Sequence, residues 1–214
     1  MKERPILFSA PMVQAILEGR KTQTRRVINP QPKLFGKDKN HDGEWWMPVG
    51  GIRQERWLCP FGKIGDRLWV RETWQTVKGL SCDSGVYAYI YKASFEGNAN
   101  FSVEKWKPSI HMPRLASRIT LEITNIRVER IQDISESDAI AEGLSKLSKD
   151  GVTWKYGIPD SDRLPGNDDI GWHWKEWNIS AKTAFAKLWN KINAKRGFSF
   201  ESNPFVWVIE FEQK

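Results

Sequence analysis

The sequence has 214 residues, enough for one decorated domain, or two small ones, that buries roughly 70% of the surface of the unfolded chain. It carries 33 Lys and Arg residues against 26 Asp and Glu residues, and the net charge of +7 favours an anionic partner, although a solvated basic surface explains it nearly as well. Cys59 and Cys82 exclude a disulfide framework and a paired zinc site, and no apolar run reaches the roughly 18 residues of a membrane helix. We therefore expect a protein of the reducing cytoplasm.

The N-terminal residues predict a strand followed by a helix. Pro5 to Phe8 form a short apolar run, Pro11 has the position typical of a first helical residue, and Gly19 marks the helix end. The start could pass for a short signal peptide, but polar residues and prolines interrupt its apolar run, so we interpret it as the first strand and helix of the fold. The basic segment GRKTQTRR, residues 19–26, therefore begins at the C-terminus of this helix.

A long irregular stretch follows, and then two strands. Residues 29–64 mix Pro, Gly, Lys and Trp without a sustained period, which predicts a long loop or insertion. Residues 65–74 predict a turn and a strand with Leu68 and Val70 on one face. A second strand is predicted over residues 86–91.

The middle of the chain predicts a long strand and a short helix. Residues 117–129 alternate between apolar and polar side chains and then shift phase at Thr124 and Asn125, which predicts a bulge. Residues 134–143 begin with a capping-box-like serine and end at a glycine, so they predict a short helix. Glu142 lies on the last turn of this helix.

The C-terminal third predicts a second irregular stretch, a helix and a final strand. Residues 145–178 are rich in tryptophan and lack a period, residues 180–194 form an amphipathic helix, and residues 205–211 form a strand. Several short strands with two nearby helices predict an α+β fold with a small β-barrel. We expect a single domain over residues 1–214, with Trp-rich insertions at about 29–64 and 145–178.

The segment GRKTQTRR contains four cations, Arg20, Lys21, Arg25 and Arg26, and two threonines, of which Thr24 is the candidate nucleophile. A threonine hydroxyl attacks when a neighbouring base removes its proton, and a lysine can be that base only if its pKa is lowered. The adjacent arginines and partial burial would both lower it. The same side chains could instead clamp a phosphate or form a solvated helix end. Residue spacing alone leaves these three interpretations open.

Three segments resemble the ASCH domain, a relative of the PUA fold. The usual ASCH form is G-x-K-x-x-E-x-R, which Gly19, Lys21 and Arg26 match, whereas Thr24 replaces the glutamate. GDRLWVRETW and HMPRLASRITLEITNIRVERIQDISESDAIAEG resemble the phage and prophage branch of this family. The resemblance implies a PUA-like small β-barrel flanked by helices, with the two Trp-rich insertions outside the minimal domain.

The segment ILEGRKTQT is also similar to the corresponding motif of a small bacterial ASCH-type enzyme that removes the acetyl group from N4-acetylcytidine. This resemblance implies that Lys21 is a general base, that Thr24 attacks the amide carbonyl, and that Glu142 passes a proton to the leaving amine. Such acid–base catalysis contributes roughly 10²–10⁴ in rate. The implied function is an amidohydrolase without cofactor or metal, and its partner is a modified nucleoside or RNA. The predicted binding residues in the motif are Arg20, Arg25 and Arg26.

The remaining candidate binding residues are aromatic or basic. Trp45 and Trp46 could stack on bases, at roughly 1–3 kcal/mol each, or could supply core area in an irregular stretch. His111 and Arg114 precede the long strand and could approach the pocket, although a lone histidine is more often structural or solvated. The segment DSDRLPGNDD, residues 160–169, lacks a ligand and the turn glycine of a calcium loop, so no metal site is predicted.

Two other functions follow from the PUA relationship and the basic charge. One is a non-catalytic RNA-binding module, whose affinity would fall steeply as salt rises. The other is a metal-independent ribonuclease that uses the same lysine. Both share the expected anionic partner with the amidohydrolase.

Overall fold

The computed structural model describes residues 1–32, 36–37, 45–49, 53–78, 87–95, 105–160, 164–166 and 171–214. Its helices are α1 (Ala10–Leu17), α2 (Glu136–Ala141) and α3 (Ala181–Asn193). Its strands are β1 (Glu3–Leu7), β2 (Gln23–Val27), β3 (Gly36–Lys37), β4 (Trp45–Val49), β5 (Arg53–Trp57), β6 (Arg67–Arg71), β7 (Trp74–Lys78), β8 (Tyr87–Tyr91), β9 (Thr120–Arg130), β10 (Ser145–Ser148), β11 (Trp154–Gly157) and β12 (Phe205–Gln213). None of these three helices combines the length and apolar character needed to cross a bilayer.

The central element is a five-stranded sheet in the order β1-β6-β9-β12-β2. Only β1 and β6 pair in parallel, and the other neighbours are antiparallel. This mixed architecture confirms the predicted α+β class. Within the described ranges no pairing joins β1 to β2, so these strand pairings leave the sheet open and do not close the expected barrel.

The core lies on both faces of this sheet. In β6 the alternation of the sequence is confirmed, because Leu68 and Val70 are buried while their neighbours are half-buried. Along β12, Val206 to Ile209 are all buried, which requires cover on both faces of this central strand. Apolar residues of all three helices belong to the same cluster.

Several local predictions are confirmed. Across β9 and β12, Glu210 lies opposite Asn125 and Phe211 lies opposite Ile123, which leaves Thr124 as the extra residue of the predicted bulge. Serine side chains begin both later helices: the Ser135 Oγ accepts from the Asp138 N–H at 3.0 Å, and the Ser180 Oγ accepts from Thr183 at 3.2 Å.

The two stretches predicted as irregular contain strands, which corrects the sequence interpretation. Within residues 29–64, β4 pairs with β5 and the two-residue β3 pairs with β4. Within residues 145–178, β10 and β11 form an antiparallel hairpin. These strands have two to five residues, too few to display a period in sequence. The single domain and the limits of its insertions stay predictions.

Gly143 ends α2 in a left-handed conformation, with φ of +106°, and a Cβ there would lie 3.1 Å from the Ala15 Cβ and 3.2 Å from the Lys21 Cβ. We expect Gly143→Ala to lose the roughly 1–2 kcal/mol of a left-handed alanine plus about 1–3 kcal/mol for overpacking. Gly151 is the matched control, because its φ is +73° and open space surrounds it. Urea unfolding of both variants measures the difference, and equal losses of stability would refute the packing argument.

Candidate functional site

Lys21 and Glu142 meet where α1 and α2 end beside each other. After α1, the N–H groups of Arg20 and Lys21 both donate to the Ala15 carbonyl at 2.9 Å, which turns the chain towards β2. The Thr22 N–H then donates to the Ala141 carbonyl at 3.0 Å, and Lys21 and Glu142 form an isolated antiparallel bridge. Backbone pairing across 121 residues therefore places the two side chains together.

The Lys21 ammonium is buried and donates three hydrogen bonds. Its Nζ donates to the Gln23 carbonyl at 2.8 Å, to the Glu142 carbonyl at 2.7 Å and to the Glu142 Oε2 at 3.0 Å. It also lies 5.4 Å from the centroid of the Phe8 ring. Burial lowers the pKa of Lys21 below its ordinary value, although the Glu142 carboxylate opposes that change.

Arg25 holds Glu142 in place from inside the protein. Its Nη1 donates to the Glu142 Oε1 at 3.2 Å, and its Nη2 donates to Glu129 at 2.9 Å and to Asp138 at 3.0 Å. The Arg25 side chain is 0% exposed. Three carboxylates therefore neutralise this guanidinium, and its role is to orient Glu142 within an ion-pair network.

Thr24 lines a cleft of about 630 Å³ together with Lys21, Arg25 and Glu142. It lies in β2 opposite Ile209 of β12, is only 4% exposed, and no hydrogen bond engages its hydroxyl within the described chain. The further lining residues include Phe8, Arg26, Leu188, Trp189, Ile192 and Arg196. Burial of Lys21, Thr24 and Arg25 excludes the solvated helix end that the sequence left open.

Arg26 lies at the wall of the cleft, close to two aromatic rings. Its Nη2 donates to the Leu7 carbonyl at 2.7 Å, and its Cζ lies 5.1 Å from the centroid of Phe8 and 6.0 Å from that of Phe61. Burial lowers the pKa of Arg26, an effect that Glu142 opposes. The cation is thus positioned by contacts that leave its charge available.

Arg20 does not line the cleft. Its Nη1 donates to the Gly143 carbonyl at 2.7 Å, and its Nε donates to the Glu18 carboxylate at 2.7 Å. These contacts join the turn after α1 to the turn after α2. The structure therefore places Arg20 where it supports the approach of Lys21 to Glu142.

The other predicted binding residues lie away from the cleft lining or beyond what the structure describes. His111 and Arg114 are exposed, and the Arg114 Nε donates to Glu3 at 2.9 Å. Trp45 and Trp46 belong to β4, but their side chains lie outside the described part. Within 1–32 and the other described ranges, no cluster of His, Cys, Asp and Glu could hold a metal, and most of residues 160–169 lie beyond these ranges.

The sequence interpretation missed the cleft wall formed by α3 and the turn after it. Ile192, in the helix predicted as amphipathic, is 56% exposed and lines the cleft with Leu188. Arg196, in the 3₁₀ turn Ala194–Arg196, lines it as well. The spacing of four residues between these three side chains is the signal that could have grouped them.

Burial raises the pKa of the Cys59 thiol to about 11, which disfavours a thiolate nucleophile there.

No protein-family model matches the chain, and no curated protein matches it. Among solved structures, it is similar to a high-resolution crystal structure of an ASCH domain from Lactobacillus crispatus JV V101. That similarity has 13% sequence identity and a TM-score of 0.38, and covers 99% of this chain and 79% of the other. A match at this level assigns no family, so the ASCH family stays a prediction from the sequence motifs.

Proposed function

We propose that the chain is a hydrolase that removes an acyl group from an N-acylated nucleoside or base, with N4-acetylcytidine as the model substrate. The observation that carries the proposal is the buried Lys21–Glu142 pair in the same cleft as Thr24, whose hydroxyl is not engaged within the described chain. The choice of substrate rests on the resemblance of ILEGRKTQT to the sequence motif of an N4-acetylcytidine hydrolase.

The first half of the proposed reaction transfers the acyl group to Thr24. Neutral Lys21 takes the hydroxyl proton while the Thr24 Oγ1 attacks the carbonyl carbon. The C–N bond then breaks, Glu142 passes the proton that Lys21 took from Thr24 to the departing amine, and the deacylated base leaves, so that Lys21 is neutral again. Thr24 is left as an ester of the acyl group.

The second half restores the enzyme. Water attacks the threonine ester, Lys21 accepts a proton from that water, and the C–O bond to Thr24 breaks to release the carboxylic acid. Thr24 regains its hydroxyl proton through the Lys21–Glu142 pair. The sum is one amide and one water converted to one amine and one acid.

The resting geometry sets a condition on Lys21. An ammonium can donate three hydrogen bonds, and Lys21 has three acceptors, so the contacts around it stabilise the charged form. Burial opposes that form. The ammonium therefore has to lose one proton to solvent before catalysis, and the Glu142 Oε2, at 3.0 Å, is then the acceptor that can take the Thr24 proton from Lys21.

Incubation of the purified protein with N4-acetylcytidine and related N-acyl nucleosides tests the proposal. Chromatography should show cytidine released by the wild type and none by Lys21→Ala. Equal product from wild type and Lys21→Ala, or no product from either, would end the amidohydrolase proposal. Labelled RNA incubated without metal forms a second arm, and cleavage that depends on Lys21 would instead identify a ribonuclease.

We expect kcat to rise with pH, because the neutral amine of Lys21 is the catalytic form. Burial lowers the pKa of Lys21 below its ordinary value of 10.5, so the rising limb should be centred below that pH and level off above the apparent pKa of the Lys21–Glu142 pair. A pH–rate profile on saturating N4-acetylcytidine measures this. A rate that falls across the same interval would contradict a lysine base.

A further inference from the structure

Two of the cations that line the cleft form no ion pair within the described part of the chain. Lys21 forms an ion pair with Glu142, and Arg25 is paired with three carboxylates. Arg26 and Arg196 line the same cleft and form no ion pair with any described residue. The positive charge available to a ligand therefore comes from these two guanidinium groups.

Arg26 is fixed before any ligand arrives. The Leu7 carbonyl and the Phe8 and Phe61 rings position its guanidinium. Its buried Nε–H has no acceptor within the described chain, which is unfavourable for a charged group. A ligand with several acceptor oxygens would stabilise such a guanidinium.

Arg196 brings a second positive charge to the first. It follows Leu188 and Ile192 along α3 and the turn after it, so this wall of the cleft changes from apolar to cationic. Burial is the main factor that lowers the pKa of Arg26, Glu142 opposes it, and the charge of Arg196 adds to the lowering, as expected of two like charges at one cleft. An anion between them would convert this repulsion into two charge-assisted contacts.

We propose that Arg26 and Arg196 form a phosphate subsite, so that the substrate of the proposed hydrolase is a nucleotide, free or within an RNA strand, rather than an uncharged nucleoside. This inference rests on the proposed function for the place of the base, beside Lys21 and Thr24. The sugar then lies against the apolar wall of Leu188 and Ile192, and the phosphate lies between the two guanidinium groups. A cleft of about 630 Å³ falls in the range of small-molecule sites.

Calorimetric titration with product analogues tests the subsite without any turnover. Cytidine, cytidine 5′-monophosphate and the dinucleotide CpC, which has only an internal phosphodiester, are titrated at one fixed salt concentration. Wild type should bind the monophosphate about tenfold more tightly than cytidine, since the phosphate adds charge-assisted hydrogen bonds to the two guanidinium groups. A similar gain for CpC identifies a strand ligand, and a gain for the monophosphate alone identifies a free nucleotide.

The matched variants are Arg196→Gln and Lys195→Gln, which remove one charge each. Lys195 is exposed and does not line the cleft, so its loss controls for net charge. Arg196→Gln should abolish the phosphate-dependent gain and leave cytidine affinity unchanged, whereas Lys195→Gln should retain the gain. Equal affinities of wild type for cytidine and its monophosphate, or equal losses in the two variants, would overturn the subsite. Absence of deacetylation with the gain intact would overturn the proposed hydrolase alone.

Discussion

A Lys21→Arg variant should fold and still bind anions, but it should release no cytidine from N4-acetylcytidine. Arginine can donate to the carbonyl and carboxylate oxygens that now surround the Lys21 ammonium. It cannot give up its proton at an accessible pH, so it cannot act as a general base. We expect kcat to fall by roughly 10²–10⁴ or more. The measurement is cytidine release at saturating substrate, on protein that circular dichroism shows to be folded.

Two further variants make this result decisive. Lys63→Arg carries the same substitution at an exposed position outside the cleft lining, and it should retain full activity. Lys21→Met removes the base without adding bulk, and it serves if the larger arginine disturbs the buried site. A Lys21→Arg protein with most of the wild-type rate would rule out a lysine base and leave GRKTQTRR as a binding segment.

A Glu142→Gln variant should lose about 3–5 kcal/mol of the free energy of unfolding, because it removes the negative charge from a buried ion pair. Lys21 would lose the one carboxylate that it contacts in the described part of the chain, and its side chain is only 2% exposed. Arg25 would keep Glu129 and Asp138 as partners. Urea unfolding monitored by tryptophan fluorescence measures the loss.

The control for this loss is Glu176→Gln. Glu176 forms an ion pair with Lys187 at 2.7 Å, but the two side chains are 46% and 42% exposed. Removal of such an exposed pair should cost less than about 1 kcal/mol. Similar losses in the Glu142 and Glu176 variants would mean that the buried pair does not carry the stability that we assign to it.

Local signals in the sequence were sufficient for the helices and for much of the central sheet. Pro11, Ser135 and Ser180 act within one turn of their own helices, so their effect can be recognised without tertiary structure. The bulge at Thr124 is equally local, because it interrupts a strict alternation. The weakly patterned strands β4, β5, β10 and β11 depend on their cross-strand partners and were missed.

The candidate site also combines features that the local sequence predicts with features that depend on tertiary contacts. The segment containing Lys21 and Thr24 was recognisable from its residues, but the contact of Lys21 with Glu142 depends on a bridge between distant turns. The three carboxylates that neutralise the buried Arg25 come from two other elements, and no local sequence pattern predicts these contacts. Arg196 was missed for the same reason, since only tertiary packing places the end of α3 at the cleft.

The most direct test of the account is whether the acyl group passes through Thr24. The reaction with N4-acetylcytidine is quenched in acid within the first turnover, and peptide mass spectrometry then searches for an acetyl group on the segment that contains Thr24. We predict an acetylated Thr24 in the wild type, and neither the adduct nor cytidine release in Thr24→Val, which removes the hydroxyl but keeps the branched shape. Cytidine release by Thr24→Val at the wild-type rate would contradict the account.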